Sequence, residues 1–91
     1  TRIHVAPDSA PGRVVLAYHR AAGILESKLG VYFQGNYTLR DFLANIGPRA
    51  SIAFNELTGI TERVLYDVYA ADEHEVRHAE ELARVTESEV T

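Results

Sequence analysis

The chain contains no cysteine, no methionine and no tryptophan. Without cysteine there is no disulfide framework, no thiolate metal ligand and no thiol nucleophile, and the redox compartment stays open. Without methionine it lacks its own initiator, and it is expected to be an excised or processed piece of something longer. Long apolar runs are missing too. The longest, VVLAY at 14–18, falls far short of the roughly 18 residues that a membrane-spanning helix needs. The opening TRIHVAPDSAPG has no apolar core of the kind a secretory signal requires. There is no Gly-rich phosphate loop, internal repeat, low-complexity tract or strand-like alternation. What is present is 91 residues, 46% hydrophobic and 24% charged, the composition of one small globular domain. A chain of this length buries about 60–65% of its unfolded surface, which suffices for one modest core.

The charge is uneven. Residues 72–91 hold seven acidic side chains and two arginines, a net of −5, so the rest of the chain carries +1 of the total −4. An acidic end of this kind repels phosphate backbones and anionic lipid, and nucleic acid is not expected as a partner.

Everything periodic has the helical period. The spacing predicts an all-α, four-helix bundle-like domain over residues 10–89 behind an extended lead at 1–9, with short connections and mostly antiparallel neighbours. In the first helix, 10–29, Ser9 is the cap and Pro11 sits in the first turn; Val14, Ala17, Tyr18, Ala21, Leu25 and Leu29 form the apolar stripe and Gly30 ends it. Thr38, with Asp41 three residues on, opens a short helix to 46 whose buried face is Leu39, Phe42, Leu43 and Ile46. Gly47-Pro48 stops it and starts a third helix, expected over 49–70. Ala50, Ala53, Phe54, Leu57, Ile60, Thr61, Val64 and Val68 make its main stripe, and Ile52, Gly59 and Tyr66, spaced by seven, a thinner one on the back. The fourth helix is expected over 72–88.

That last helix contains HEVRH, residues 74–78, which matches the zinc-protease pattern H-E-x-x-H. Two histidines four apart on a helix can grip one Zn²⁺, with the intervening Glu as general base on the bound water. Ordinary explanations also exist. Asp72 is placed as an N-cap with Glu75 three residues on, and Val76, Ala79, Leu82 and Ala83 share a face about opposite His74 and His78. Arg77 has Glu73 four residues before it and Glu81 four after, a solvated ladder. A catalytic zinc needs a third ligand and a second shell. The extended pattern would place Gly at 81 and His at 84, where the chain has Glu81 and Arg84. The remaining histidines, His4 and His19, fall in the lead and on the polar back of the first helix. His74 and His78 are expected outward, as a site of adventitious metal binding; a zinc-dependent hydrolase built on His74, Glu75 and His78 is the alternative. The serines have no recognisable His and Asp partners, and the adjacent Glu80 and Glu81 point to different faces. No cofactor is expected.

Three segments together, AYHRAAGILESKLG, TLRDFL and FNELTGITERVLYDVYAADEHEV, resemble the protein-glutamine gamma-glutamyltransferase-like C-terminal domain, a domain of unknown function at the end of transglutaminase-like membrane proteins. The matching positions are Tyr18 and Arg20, then Thr38, Arg40 and Asp41, then Phe54, Leu57, Thr58, Glu62, Arg63 and Tyr66, and the likeness spans about residues 13–85. Asp41 stands where the family has Glu, and Asp67 where a Gly often follows the Tyr. The resemblance implies a non-catalytic tail behind the last transmembrane helix, on the cytoplasmic face, since the family's transglutaminase chemistry lives in a separate Cys-His-Asp domain. It also implies other domains of the parent protein, or another protein, as partners, with membrane attachment through a segment outside this chain.

Two expectations concern the helices themselves. Arg40 and Glu62 either pair between the second and third helices, partly buried, or are independent solvated charges. Gly59 in mid-helix costs about 1 kcal/mol relative to Ala, so it is expected to mark a close backbone approach. If the short helix 39–46 is that neighbour, it covers Ile52, Gly59 and Tyr66, the domain is a closed monomer, and the partner surface is the acidic outer face of the last helix. If the stripe is uncovered, it invites a second helix, from a twin or from the parent protein.

Overall fold

Side-chain oxygens set where each helix begins. The computed structural model describes residues 9–66 and 72–90. Within them lie α1 (Ala10–Leu29), α2 (Leu39–Ile46), a 3-10 turn at Gly47–Arg49, α3 (Ile52–Tyr66) and α4 (Glu73–Val90). The Ser9 hydroxyl accepts from the Gly12 N–H at 3.1 Å, opening α1, and Gly30, at φ 71°, closes it in the left-handed conformation that favours glycine. Thr38 and Asp41 form a reciprocal capping box on α2, each side chain accepting from the other's backbone N–H at 3.1 and 3.0 Å. The Glu75 N–H donates to Asp72 Oδ1 at 2.8 Å, capping α4.

The start of α3 departs from expectation. Gly47, at φ 65°, turns the chain into the 3-10 segment containing Pro48, so the α-helix does not begin at 49. It begins after Ser51, whose hydroxyl accepts from the Phe54 N–H at 3.0 Å. Ala50 therefore joins the core from outside the helix. α4 runs two residues beyond the expected 88. The expected continuation of α3 to 70, with Val68 and Asp67, lies outside the described residues, as does the lead up to residue 8 with His4.

Helices α1, α3 and α4 pack on one another, and α2 docks on α3. The expected stripes, joined by Ala22, supply one core: Val14, Ala17, Tyr18, Ala21 and Leu25 from α1, Leu39, Phe42, Leu43 and Ile46 from α2, Phe54, Leu57, Ile60 and Val64 from α3, and Val76, Ala79, Leu82 and Ala83 from α4. Aromatic rings run through it in a file. Tyr18 stacks on Phe54 at 5.5 Å, Phe54 meets Phe42 edge-on at 6.1 Å, and Phe42 stacks on Phe33 at 4.9 Å. The Phe33 N–H donates to Glu26 Oε2 at 2.7 Å, which fastens the connection after α1 and with it the ring against which α2 sits. Three buried threonines, Thr58, Thr61 and Thr86, give their hydroxyl protons to the carbonyl one turn back, so the core holds them without an unmet donor.

Candidate interaction surface

Because α1, α4 and α2 all pack on α3, the helix has one side left over. Residues 52, 59 and 66 recur at two-turn intervals along that side. Ile52 is 86% exposed and Tyr66 58% exposed. Between them no described residue lies within 4 Å of where a Cβ on Gly59 would stand. The expected cover of α2 over this stripe is therefore not there, and no close approach among the described residues accounts for Gly59. The reason is where α2 finds its neighbours: Phe42 is drawn to Phe33 and Phe54, which holds the short helix to one flank of α3.

Each flank of the leftover side is closed by ion pairs. On the α2 flank, Arg40 Nε donates to Glu62 Oε1 at 3.0 Å and Oε2 at 3.1 Å, the expected pair between the second and third helices. On the α4 flank, Arg63 Nη2 donates to Glu75 Oε2 at 3.2 Å, and His78 Nε2 lies 2.6 Å from Glu56 Oε2. Together with Gly59 and the edge of Ile60 these side chains line an open groove of about 570 Å³. With His78 neutral the five charged groups sum to −1; Arg40 and Glu62, and Arg63 and Glu75, pair with opposite charges across helices, while Glu56 faces the His78 ring. Such a groove offers little to a charged small molecule. The missing side chain at Gly59, with the exposed Ile52 and Tyr66 two turns to either side along α3, suits a packed helix, which needs close approach in the middle and apolar contact on either side.

The letters of HEVRH are distributed among structural tasks. Val76 is buried, Glu75 reaches Arg63, Arg77 lies 3.6 Å from Glu73, and His78 faces Glu56. His74 and His78 are both exposed, as expected. Among the described residues no group of three or more His, Asp and Glu side chains is placed to hold a metal ion. The expected Arg77–Glu81 half of the ladder is replaced: Glu81 takes a hydrogen bond from Arg84, which holds its carboxyl below the ordinary value. Arg13 of α1 contacts Glu73 at 3.1 Å and Glu80 at 3.5 Å, so the acidic outer face of α4 is partly spent on its own neighbour. Thr38, Arg40, Glu62 and Tyr66 thus have different tasks: a cap, an ion pair across helices, and an exposed ring.

Sequence reasoning missed Glu56, and with it the contact to His78, and also Phe33. Glu56 and His78 are 22 positions apart, and only the relative rotation of α3 and α4 brings them together. Phe33 lies in a connection without periodicity, and its one signal was the aromatic density of VYFQGNY. No protein-family model, curated protein or solved structure matches this chain.

Proposed function

We propose that this chain is a non-catalytic helical interaction domain whose docking surface is the outward side of α3. The observation that carries the reading is the combination at residues 52, 59 and 66: two large exposed apolar side chains around a mid-helix glycine whose Cβ position no described residue approaches within 4 Å. Exposing Ile52 forgoes about 1.5–3 kcal/mol of burial, and Gly59 gives up about 1 kcal/mol of helix propensity, so both costs call for compensation outside the monomer. The resemblance to the C-terminal domain of transglutaminase-like membrane proteins supports the same reading, since it implies a non-catalytic tail whose partners are other domains of the parent or another protein. No described helix is long and apolar enough to cross a membrane. Attachment to the cytoplasmic face of a membrane, as the resemblance implies, then runs through a segment outside this chain.

The test is site-specific photocrosslinking in the host cell. A benzophenone amino acid at position 52 or 66 should give a defined adduct, and one at position 87, on the far side of α4, should not. The absence of adducts at both 52 and 66 would remove the proposal.

A further inference from the structure

The outward side of α3 is complementary to itself when turned end for end about Gly59, and we infer that its occupant is a second copy of this chain, packed antiparallel with the two Gly59 residues at the crossing. The inference rests on the reading of this side as a docking surface and names its partner.

Three observations lead to it. First, the apolar residues are symmetric about the glycine. Ile52 and Tyr66 each stand seven positions from Gly59, about 10.5 Å along the axis, so a two-fold axis through Gly59 lays each Ile52 on the partner copy's tyrosine ring. Second, the charges alternate in the required sense on one flank. Glu56 and Arg63 both lie on the α4 flank, as their contacts with His78 and Glu75 show. A two-fold axis in the plane of the interface and perpendicular to α3 keeps each flank on its own side and reverses the direction along it. Glu56, about 4.5 Å before the glycine, then meets an arginine about 6 Å beyond it, twice per dimer. On the other flank Asn55 comes opposite Glu62, so no like charges are forced together. Third, the centre is open among the described residues, none of which lies within 4 Å of a Cβ position on Gly59. Antiparallel order also sets the two helix dipoles side by side in opposite directions. The expected monomer rested on α2 covering this stripe, and that cover is absent.

One helix face buries less than the roughly 800 Å² per partner of a standard interface, so the dimer forms weakly, with a dissociation constant on the order of 100 µM. Sedimentation equilibrium of the parent between about 10 µM and 1 mM should show a concentration-dependent shift from monomer to dimer mass. Glu56→Lys and Arg63→Glu, each placing like charges at both symmetric contacts, should each weaken association by about tenfold or more. An equimolar mixture of the two variants should recover association, because the mixed pair has opposite charges at both contacts. Circular dichroism before each run keeps loss of fold apart from loss of association. Gly59→Gln, compatible with a helix and with room for its Cβ among the described residues, should also abolish the dimer. A parent that stays monomeric to about 1 mM, a mixture no better associated than its components, or an undiminished Gly59→Gln dimer would each overturn the inference. A monomeric parent that still crosslinks from position 52 to another polypeptide leaves the docking surface standing and removes the second copy alone.

Discussion

Arg40 and Glu62 are joined across α2 and α3 by a single Nε–H shared between two carboxylate oxygens, at 3.0 and 3.1 Å. Of the two alternatives the sequence left open, the pair is the one that forms, and its setting decides its worth. Arg40 is 59% exposed in its side chain and Glu62 24%, so neither charge is stranded in a dry interior when its partner is removed. Glu62→Gln should therefore cost about 0.5–1 kcal/mol, and less at high salt, rather than the 3–5 kcal/mol of a buried pair. A double-mutant cycle with Arg40→Met, read by urea denaturation at low and high salt, checks both the size and the screening. A coupling well above 1 kcal/mol that salt leaves unchanged would contradict this assignment.

The two mid-helix glycines, Gly23 exposed and Gly59 half-buried, offer a comparison. Gly23 in α1 and Gly59 in α3 both have open space where a Cβ would be. Replacing either by alanine should raise the stability of the folded chain by about 0.5–1 kcal/mol, since Ala is the better helix former and meets no neighbour. Thermal unfolding of Gly23→Ala and Gly59→Ala reads this directly. If Gly59 is kept for a partner, only Gly59→Ala should also change association, while Gly23→Ala leaves it as in the parent. Destabilisation by Gly59→Ala would show a close neighbour that this structure lacks.

The histidines of α4 are surface groups. His74→Ala and His78→Ala combined should change stability by no more than about 0.5 kcal/mol, because both are exposed and the His78–Glu56 contact is solvated. Stoichiometric zinc retained through dialysis by the parent, together with unfolding when it is chelated, would restore the metal reading of HEVRH.

What could be read from sequence divides along a physical line. Caps are local, and Ser9, Thr38 with Asp41, and Asp72 were each legible within four residues because the hydroxyl or carboxylate and the N–H it accepts lie in the same turn. Apolar faces are equally local, so the core of every helix was legible too. The first turn of α3 was not, since Gly47-Pro48 suits both an immediate helix start and the 3-10 turn that forms. Which side of α3 receives α2 was also hidden. That choice depends on Phe33, fastened by Glu26 in an aperiodic connection, and the stack it makes with Phe42 then leaves Ile52, Gly59 and Tyr66 uncovered. The candidate surface was thus visible as a spacing of seven, while its exposure and its ion-paired flanks required the packing of three helices.

Tyr18 carries the last prediction. Its ring is 1% exposed and stacked on Phe54, and its hydroxyl has no hydrogen-bond partner among the described residues. Burial, reinforced by the nearby Glu62, pushes the phenol well above the ordinary tyrosine value of about 10. The folded state therefore keeps a proton that the unfolded chain releases first. The group leaves stability unchanged below about pH 10 and removes about 1.4 kcal/mol per pH unit above it, until the folded-state value is reached. Tyr18→Phe deletes both the unmet hydroxyl and this proton. At pH 7 the variant should be as stable as the parent or more stable by about 1 kcal/mol, since an unpartnered buried polar group is lost. Above pH 10 its advantage should widen with each unit of pH. Urea denaturation of both proteins at pH 7, 10 and 11 measures the two slopes. Parallel slopes, or a variant less stable than the parent at pH 7, would mean that the hydroxyl has a partner, such as an ordered water, in the folded protein.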